Sequence, residues 1–184
     1  MAHQAQIDYC LSVKKRFPYY FKKKLVLDAG SMDINGNNRY LFENCDYTGV
    51  DIGPGKNVDI ICPIYSFVPL KRKWRIGRLY YVFYDVVIST EMLEHDKYWK
   101  QSLERMYWLL KPSGLLLITA ATTGRNEHGT YETDEISSPY TLDYYRNVTP
   151  DMIREALNPD WFSLFEIDVS KTGIPDIRLT AIKK

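Results

Sequence analysis

A chain of 184 residues, 45% hydrophobic and 26% charged, is long enough to bury one sizeable core. Its net charge of +1 excludes a global electrostatic case for nucleic acid or an anionic membrane, so any such contact must come from a local cluster. No run approaches the roughly 18 apolar residues of a membrane span, the stretch MAHQAQIDYCLSVKKRF lacks the apolar core of a signal peptide, and the scattered Cys10, Cys45 and Cys62 suit neither disulfides nor a structural zinc, so a reducing, cytoplasmic setting is expected.

In chain order, residues 4–20 read as an amphipathic helix with Ile7, Cys10 and Leu11 on one face, closed by Pro18 and the lysines at 22–24. KLVLDAG is a short apolar run ending in Asp28 and Gly30, a buried strand. A helix is expected over 34–44, a second strand over 47–52 closed by Gly53-Pro54-Gly55, and a third over 57–62. Residues 81–89 form a long fourth strand. A helix follows over 96–111, with Trp99, Leu103, Met106 and Leu110 at helical spacing and a stop at Pro112-Ser113-Gly114. Residues 114–121 give a fifth strand, and 121–147 a long polar aperiodic segment of the kind that serves as a functional loop. Thr149 caps a helix over 149–157 with Pro150 at its first position, and strands over 161–169 and 176–183 close the chain. The alternation predicts an α/β fold: a doubly wound, mostly parallel seven-stranded sheet with helices on both faces and an antiparallel C-terminal strand pair. With no repeat or linker, residues 1–184 read as one domain, whole or part of a longer polypeptide.

Ligands of such sheets bind at the carboxyl ends of the strands, where the strand order reverses. The polar residues expected there are Asp28-Ala29-Gly30-Ser31, Asp51-Ile52-Gly53, Cys62-Pro63 and Ser89-Thr90-Glu91. Gly30 allows a tight turn and close backbone approach. Asp51, 21 residues beyond Gly30, stands where a carboxylate would hold ribose hydroxyls, although a strand-end aspartate also simply caps turns. By spacing alone NAD and S-adenosylmethionine fit equally well.

LVLDAGSMDINGNNRYLF, YTGVDIGPGKNVDI and YDVVISTEMLEH, leading into LKPSGLLLITA, resemble in order and spacing the motifs of class I S-adenosylmethionine-dependent methyltransferases, among them small microbial and viral enzymes associated with glycan modification. Ser31 and Asp33 stand where further glycines are common, which breaks the pyrophosphate-cradling GxGxxG pattern. S-adenosylmethionine carries no phosphate, so a methyl donor is favoured over a nicotinamide. The resemblance implies that Asp28, Ala29, Gly30 and Ser31 lie near the methionine end of the cofactor. It implies also that Asp51 holds the ribose, that Ile52 flanks the adenine, that Cys62 or the Pro63-Ile64 pair lines the adenine edge, and that Ser89 and Glu91 face the reacting centre. An acidic residue is usual near Cys62 in the family and is missing here.

A hydroxyl acceptor must lose a proton, and His128 and His95 are the candidate bases, with His128 favoured and Glu91 beside them. The bland alternatives are a capping or packing role for His95 and an incidental loop histidine at 128. The fourth motif reads Ser-Thr-Glu-Met, not the Asn/Asp-Pro-Pro-Tyr of exocyclic-amine methylation. No metal is expected: Ser89 and Thr90 stand where metal-dependent relatives carry an aspartate, and Glu91 with His95 gives only two ligands at helical spacing. The basic run 71–78, KRKWRIGR, could meet phosphates of a nucleic acid or nucleotide-sugar, or be a solvated loop. The expectation is therefore O-methylation of a hydroxyl on a sugar, glycan or other small polar acceptor. RNA or protein methylation, a catalytically silent cofactor-binding module and, more distantly, a dehydrogenase stand as alternatives.

Overall fold

The apolar runs become strands β1 (Leu25–Ala29), β2 (Asp46–Asp51), β3 (Ile60–Ile61), β4 (Leu70–Arg72), β5 (Leu79–Tyr81), β6 (Tyr84–Thr90), β7 (Leu110–Ala121), β8 (Phe162–Val169) and β9 (Asp176–Lys183). The helices are α1 (Gln4–Arg16), α2 (Trp99–Leu109) and α3 (Pro150–Ala156). This computed structural model describes residues 3–72, 79–170 and 173–184. Among the described residues, seven strands form one sheet in the order β3-β2-β1-β6-β7-β9-β8, and β4 pairs with β5 as a separate antiparallel ribbon. The pairs β1/β2, β1/β6, β2/β3 and β6/β7 are parallel; β9 runs antiparallel to both β7 and β8. The expected mixed sheet with a reversed C-terminal pair is present, and the strand order switches between β1 and β6.

Side chains alternate across the central strands and so build two cores. On one face Val26, Val86, Ile88, Leu115 and Leu117 meet Cys10 and Val13 of α1. On the other, Leu27, Val87, Leu116 and Ile118 meet Leu103, Met106 and Leu109 of α2 and Ile153 and Ala156 of α3. Helices thus cover both faces, and the interior strands carry the near-continuous apolar runs that two-sided burial requires. No helix among the described residues is long and apolar enough to cross a membrane.

Several expected elements differ. The first helix ends at Arg16, since Pro18 cannot continue it, and Pro18–Phe21 forms a 3-10 turn. Its buried residues are Gln6, Cys10 and Val13, whereas Leu11 is exposed. The helix expected over 34–44 shrinks to one 3-10 turn, Arg39–Leu41. Here polar side chains take the backbone groups a helix would use: Asp33 accepts the Gly36 N–H at 2.7 Å and Asn37 accepts the Arg39 N–H at 3.0 Å. Only Ile60–Ile61 of the third strand pairs, because Asn57 adopts φ 71° and turns the chain first. The long fourth strand is split at Val82-Phe83 between β5 and β6. Helix α2 begins only at Trp99, because the Asp96 carboxylate accepts the Tyr98 N–H at 2.7 Å and the Ser102 hydroxyl at 2.5 Å. Pro112-Ser113-Gly114 lies inside β7, with Ser113 at φ 60°.

Candidate functional site

The carboxyl ends of β1, β2 and β6 open into a cavity of about 320 Å³, in the range of small-molecule sites. Its floor is the turn after β1. Gly30 sits at φ +77°, and a Cβ there would meet Met92 Cγ at 2.3 Å, so only glycine lets this turn approach Met92, two residues past β6. The Gly30 and Ser31 N–H groups both donate to the Val50 carbonyl, at 2.9 and 3.2 Å. Ser31 donates its hydroxyl to the Asn57 carbonyl at 3.2 Å, and Asn57 returns an amide N–H to the Ser31 carbonyl at 2.8 Å.

Asp51 closes β2. Its Oδ2 accepts the Met32 N–H at 2.9 Å and its Oδ1 the Gly53 N–H at 3.4 Å, while burial raises its pKa. Asp28 is fully buried. Burial pushes its pKa up to about 7 against the opposing hydrogen bonds from the Tyr47 hydroxyl and the Asn38 amide. Asn38 also donates to Thr90 Oγ1 at 3.0 Å, tying the loop after β1 to the end of β6. Ile52 and Cys62 line the cavity, Ile52 largely exposed at its rim.

Six of the eight expected cofactor residues, Asp28, Gly30, Ser31, Asp51, Ile52 and Cys62, therefore lie on one cavity wall. Ala29 and Ser89 do not line it. Both are buried in the sheet, where the Ser89 hydroxyl donates to the Ala29 carbonyl at 2.8 Å and ties β6 to β1. Tyr140 escaped the sequence reading as a cofactor-side residue. Its ring covers Gly53, where a Cβ would fall 2.1 Å from Cδ2, and its hydroxyl donates to the Pro54 carbonyl at 3.1 Å. Asn38 and Tyr47 stand inside the quoted motif stretches but were not singled out, because only tertiary approach sets each of them against Asp28.

At the other end, Glu91 (φ 54°) and His95 line the cavity. Glu91 accepts the Thr119 hydroxyl at 3.0 Å and lies 3.7 Å from Arg125, which pairs at 2.8 Å with the fully buried Asp176. Burial and the neighbouring Glu94 raise the Glu91 pKa to about 7. Burial, then His128, lowers that of His95 to about 3, which keeps the ring neutral. The two histidines read as rival bases are neighbours, with ring centroids 5.1 Å apart, and Tyr145 sits edge-on to both. His128 does not itself line the cavity. The segment 122–148 carrying it is irregular as expected but well tied down. Arg146 N–H donates to the Glu94 carbonyl at 2.8 Å, Val148 N–H to the Ala121 carbonyl at 2.8 Å, and Lys97 pairs with Asp143 at 2.5 Å.

Tyr65 and Tyr98, with rings 4.6 Å apart, stand with Lys97 and Tyr144 on the remaining wall. Of the basic run 71–78, to which the phosphate-binding reading belongs, residues 73–78 lie outside the described residues.

No protein-family model and no curated protein matches the chain. Solved structures do. The 1,6-didemethyltoxoflavin-N1-methyltransferase of Burkholderia thailandensis, holding 1,6-didemethyltoxoflavin and S-adenosylhomocysteine, is similar over all of this chain and 92% of its own, with 16% identity and a TM-score of 0.57. The magnesium protoporphyrin IX methyltransferase of Synechocystis PCC 6803 with bound S-adenosylhomocysteine is similar over 98% and 84%, with 16% identity and a TM-score of 0.62. A SAM-dependent methyltransferase from Archaeoglobus fulgidus is similar over 97% and 94%, with 16% identity and a TM-score of 0.60. The sheet order, the reversed β9 and these similarities agree: this chain has the class I methyltransferase fold.

Proposed function

We propose that residues 1–184 act as one S-adenosylmethionine-dependent methyltransferase unit whose acceptor is a hydroxyl of a sugar, glycan or other small polar molecule. The observation that carries this reading is the shared cavity. Gly30, Ser31 and Asp51 meet at one end of it, and Glu91 and His95 at the other, across the point where the strand order reverses. Asp51 would take the ribose hydroxyls, Ile52, Cys62 and Tyr140 would flank the adenine, and the turn at Gly30 would receive the methionine end, with Asp28 beneath it. The two similar enzymes solved with S-adenosylhomocysteine support the choice of cofactor.

Methyl transfer from a sulfonium is an in-line displacement, so orienting the acceptor does much of the work. Tyrosine faces at 65, 98 and 144, interleaved with Lys97, suit a ring that is apolar on its faces and polar at its edge. Glu91 and His95, with the His128 ring packed on His95, form the group to which the acceptor oxygen would be presented. The test is calorimetric titration with S-adenosylmethionine and S-adenosylhomocysteine, repeated on Asp51→Ala. Micromolar binding that collapses in the variant is expected, and no binding by the native chain would overturn the reading.

A further inference from the structure

The short turn Leu93–His95 and the segment after β7 bring together three side chains that no motif in the sequence connects. Glu94, His95 and His128 each offer one ligand atom, and the three atoms lie within 4.8 Å of one another. Glu94 is wholly buried; its Oε1 accepts the Ala121 N–H at 3.2 Å and its Oε2 has no partner among the described residues. His95 is 5% exposed, and neither of its ring nitrogens has a partner. The third group is the most telling. His128 Nδ1 lies 3.0 Å from the Asn126 carbonyl, which can only accept, so Nδ1 carries the proton. Nε2 is then a bare lone pair, and it too is buried without a partner.

Leaving buried acceptors unsatisfied costs about 1–3 kcal/mol each, so three such acceptors gathered in one place, one from each residue, call for an electron-pair acceptor. Two neutral imidazoles and a carboxylate are the donor set of open zinc sites, and a backbone carbonyl orienting the second ring nitrogen is the usual outer support of a metal-bound histidine. We propose that Glu94, His95 and His128 hold a divalent transition-metal ion with at least one coordination position open.

Bonds of about 2.1 Å in a tetrahedral site set donor atoms about 3.4 Å apart, so loading draws the three together slightly. The loop carrying His128 already packs on His95. Gly129, at φ +67°, lies against that ring: a Cβ there would fall 2.9 Å from His95 Cε1. The neighbouring group of His3, Glu91 and Asp176 is a different case. Arg125 pairs with both of its carboxylates and His3 Nε2 lies 2.7 Å from Asp176, so its charges are already met.

The consequence for chemistry, unlike the site itself, rests on the methyltransferase reading. A hydroxyl in the open position would lose its proton to water more readily. The resulting oxygen would bond to the methyl carbon as the carbon–sulfur bond breaks and the sulfonium leaves as a neutral thioether. His95 and His128 then serve as ligands, not as the base.

The experiment titrates metal-stripped, tag-free native protein with zinc chloride by calorimetry and follows cobalt(II) by its visible absorption. One equivalent per chain, with more than tenfold weaker uptake in His128→Gln and in Glu94→Gln, is expected. Glu94→Gln keeps the bond to Ala121, and circular dichroism confirms that both variants fold. No uptake by the native chain, or undiminished uptake by folded His128→Gln, overturns the site. Asp51→Ala, expected to lose the cofactor but to keep one equivalent of zinc, separates failure of this site from failure of the methyltransferase reading.

Discussion

Asp51 Oδ2 holds the backbone N–H of Met32 at 2.9 Å, so the carboxylate that ends β2 also fixes the turn that follows β1. Two strands separated by the whole first crossover therefore share one group, and its removal has two effects. Asp51→Ala is expected to weaken S-adenosylmethionine binding about 100-fold by taking away a charged acceptor and loosening the Gly30–Met32 turn. Asp51→Asn keeps an oxygen for Met32 and should lose only about tenfold. Calorimetry on the pair separates the effects; equal losses would contradict the division.

Asp28 gives a pH signature. The unfolded carboxyl titrates near 3.9, while in the fold burial holds it at about 7. Below about pH 4 both states keep the proton, and the fold bears no penalty. As pH rises towards 7 the unfolded chain releases its proton first, so stability falls, and the loss, about 4 kcal/mol as an order of magnitude, is complete above 7. Asp28→Asn should therefore gain on the native chain between pH 5 and pH 8 in paired thermal melts without ligand. A melting-temperature difference independent of pH would show that Asp28 does not titrate in this range.

Much of the fold can be read from the chain because its strands are buried on both faces: runs such as LVLDA and GLLLITAA have no other good use. Likewise, the Thr149-Pro150 start of α3 is purely local, and Thr149 does accept the Met152 N–H at 3.3 Å. The helix expected over 34–44 failed because Asp33 and Asn37 captured its backbone groups, a competition that apolar spacing does not register. In the site, Gly30 and Asp51 were legible since each sits at a fixed distance past a strand. The meeting of Glu94 with His128 was not, because it depends on how segment 122–148 folds back over the sheet.

Thr149→Ala tests the local end of that range. Loss of the cap should cost about 1 kcal/mol in urea unfolding, with cofactor affinity unchanged.

Arg125 tests the tertiary end. It is the cation between Asp176 at 2.8 Å and Glu91 at 3.7 Å, and both carboxylates are almost wholly buried. Arg125→Met leaves them facing each other and should destabilise by about 3 kcal/mol or more in urea unfolding, whereas Arg125→Lys should recover part of the loss. A change below 1 kcal/mol for the methionine variant would mean the network carries little of the fold's stability.

Gly53→Ala tests the covering ring. The added methyl must move the half-exposed Tyr140 aside, which changes little of the core. Unfolding free energy should stay within about 1 kcal/mol of native, while affinity for S-adenosylhomocysteine drops roughly tenfold, about 1.4 kcal/mol. Unchanged affinity would remove Tyr140 from the cofactor wall.

That ring belongs to the same stretch of chain as His128, which packs on His95 at the far end of the cavity, so one loop supports both ends. Selection for a new acceptor would act on residues 122–148, and through Tyr140 every such change would also be felt where the donor is held. Lineages of this protein should therefore alter acceptor preference and donor affinity together, with compensating substitutions at Gly53 and Pro54, a covariation that comparison of diverged sequences can reveal.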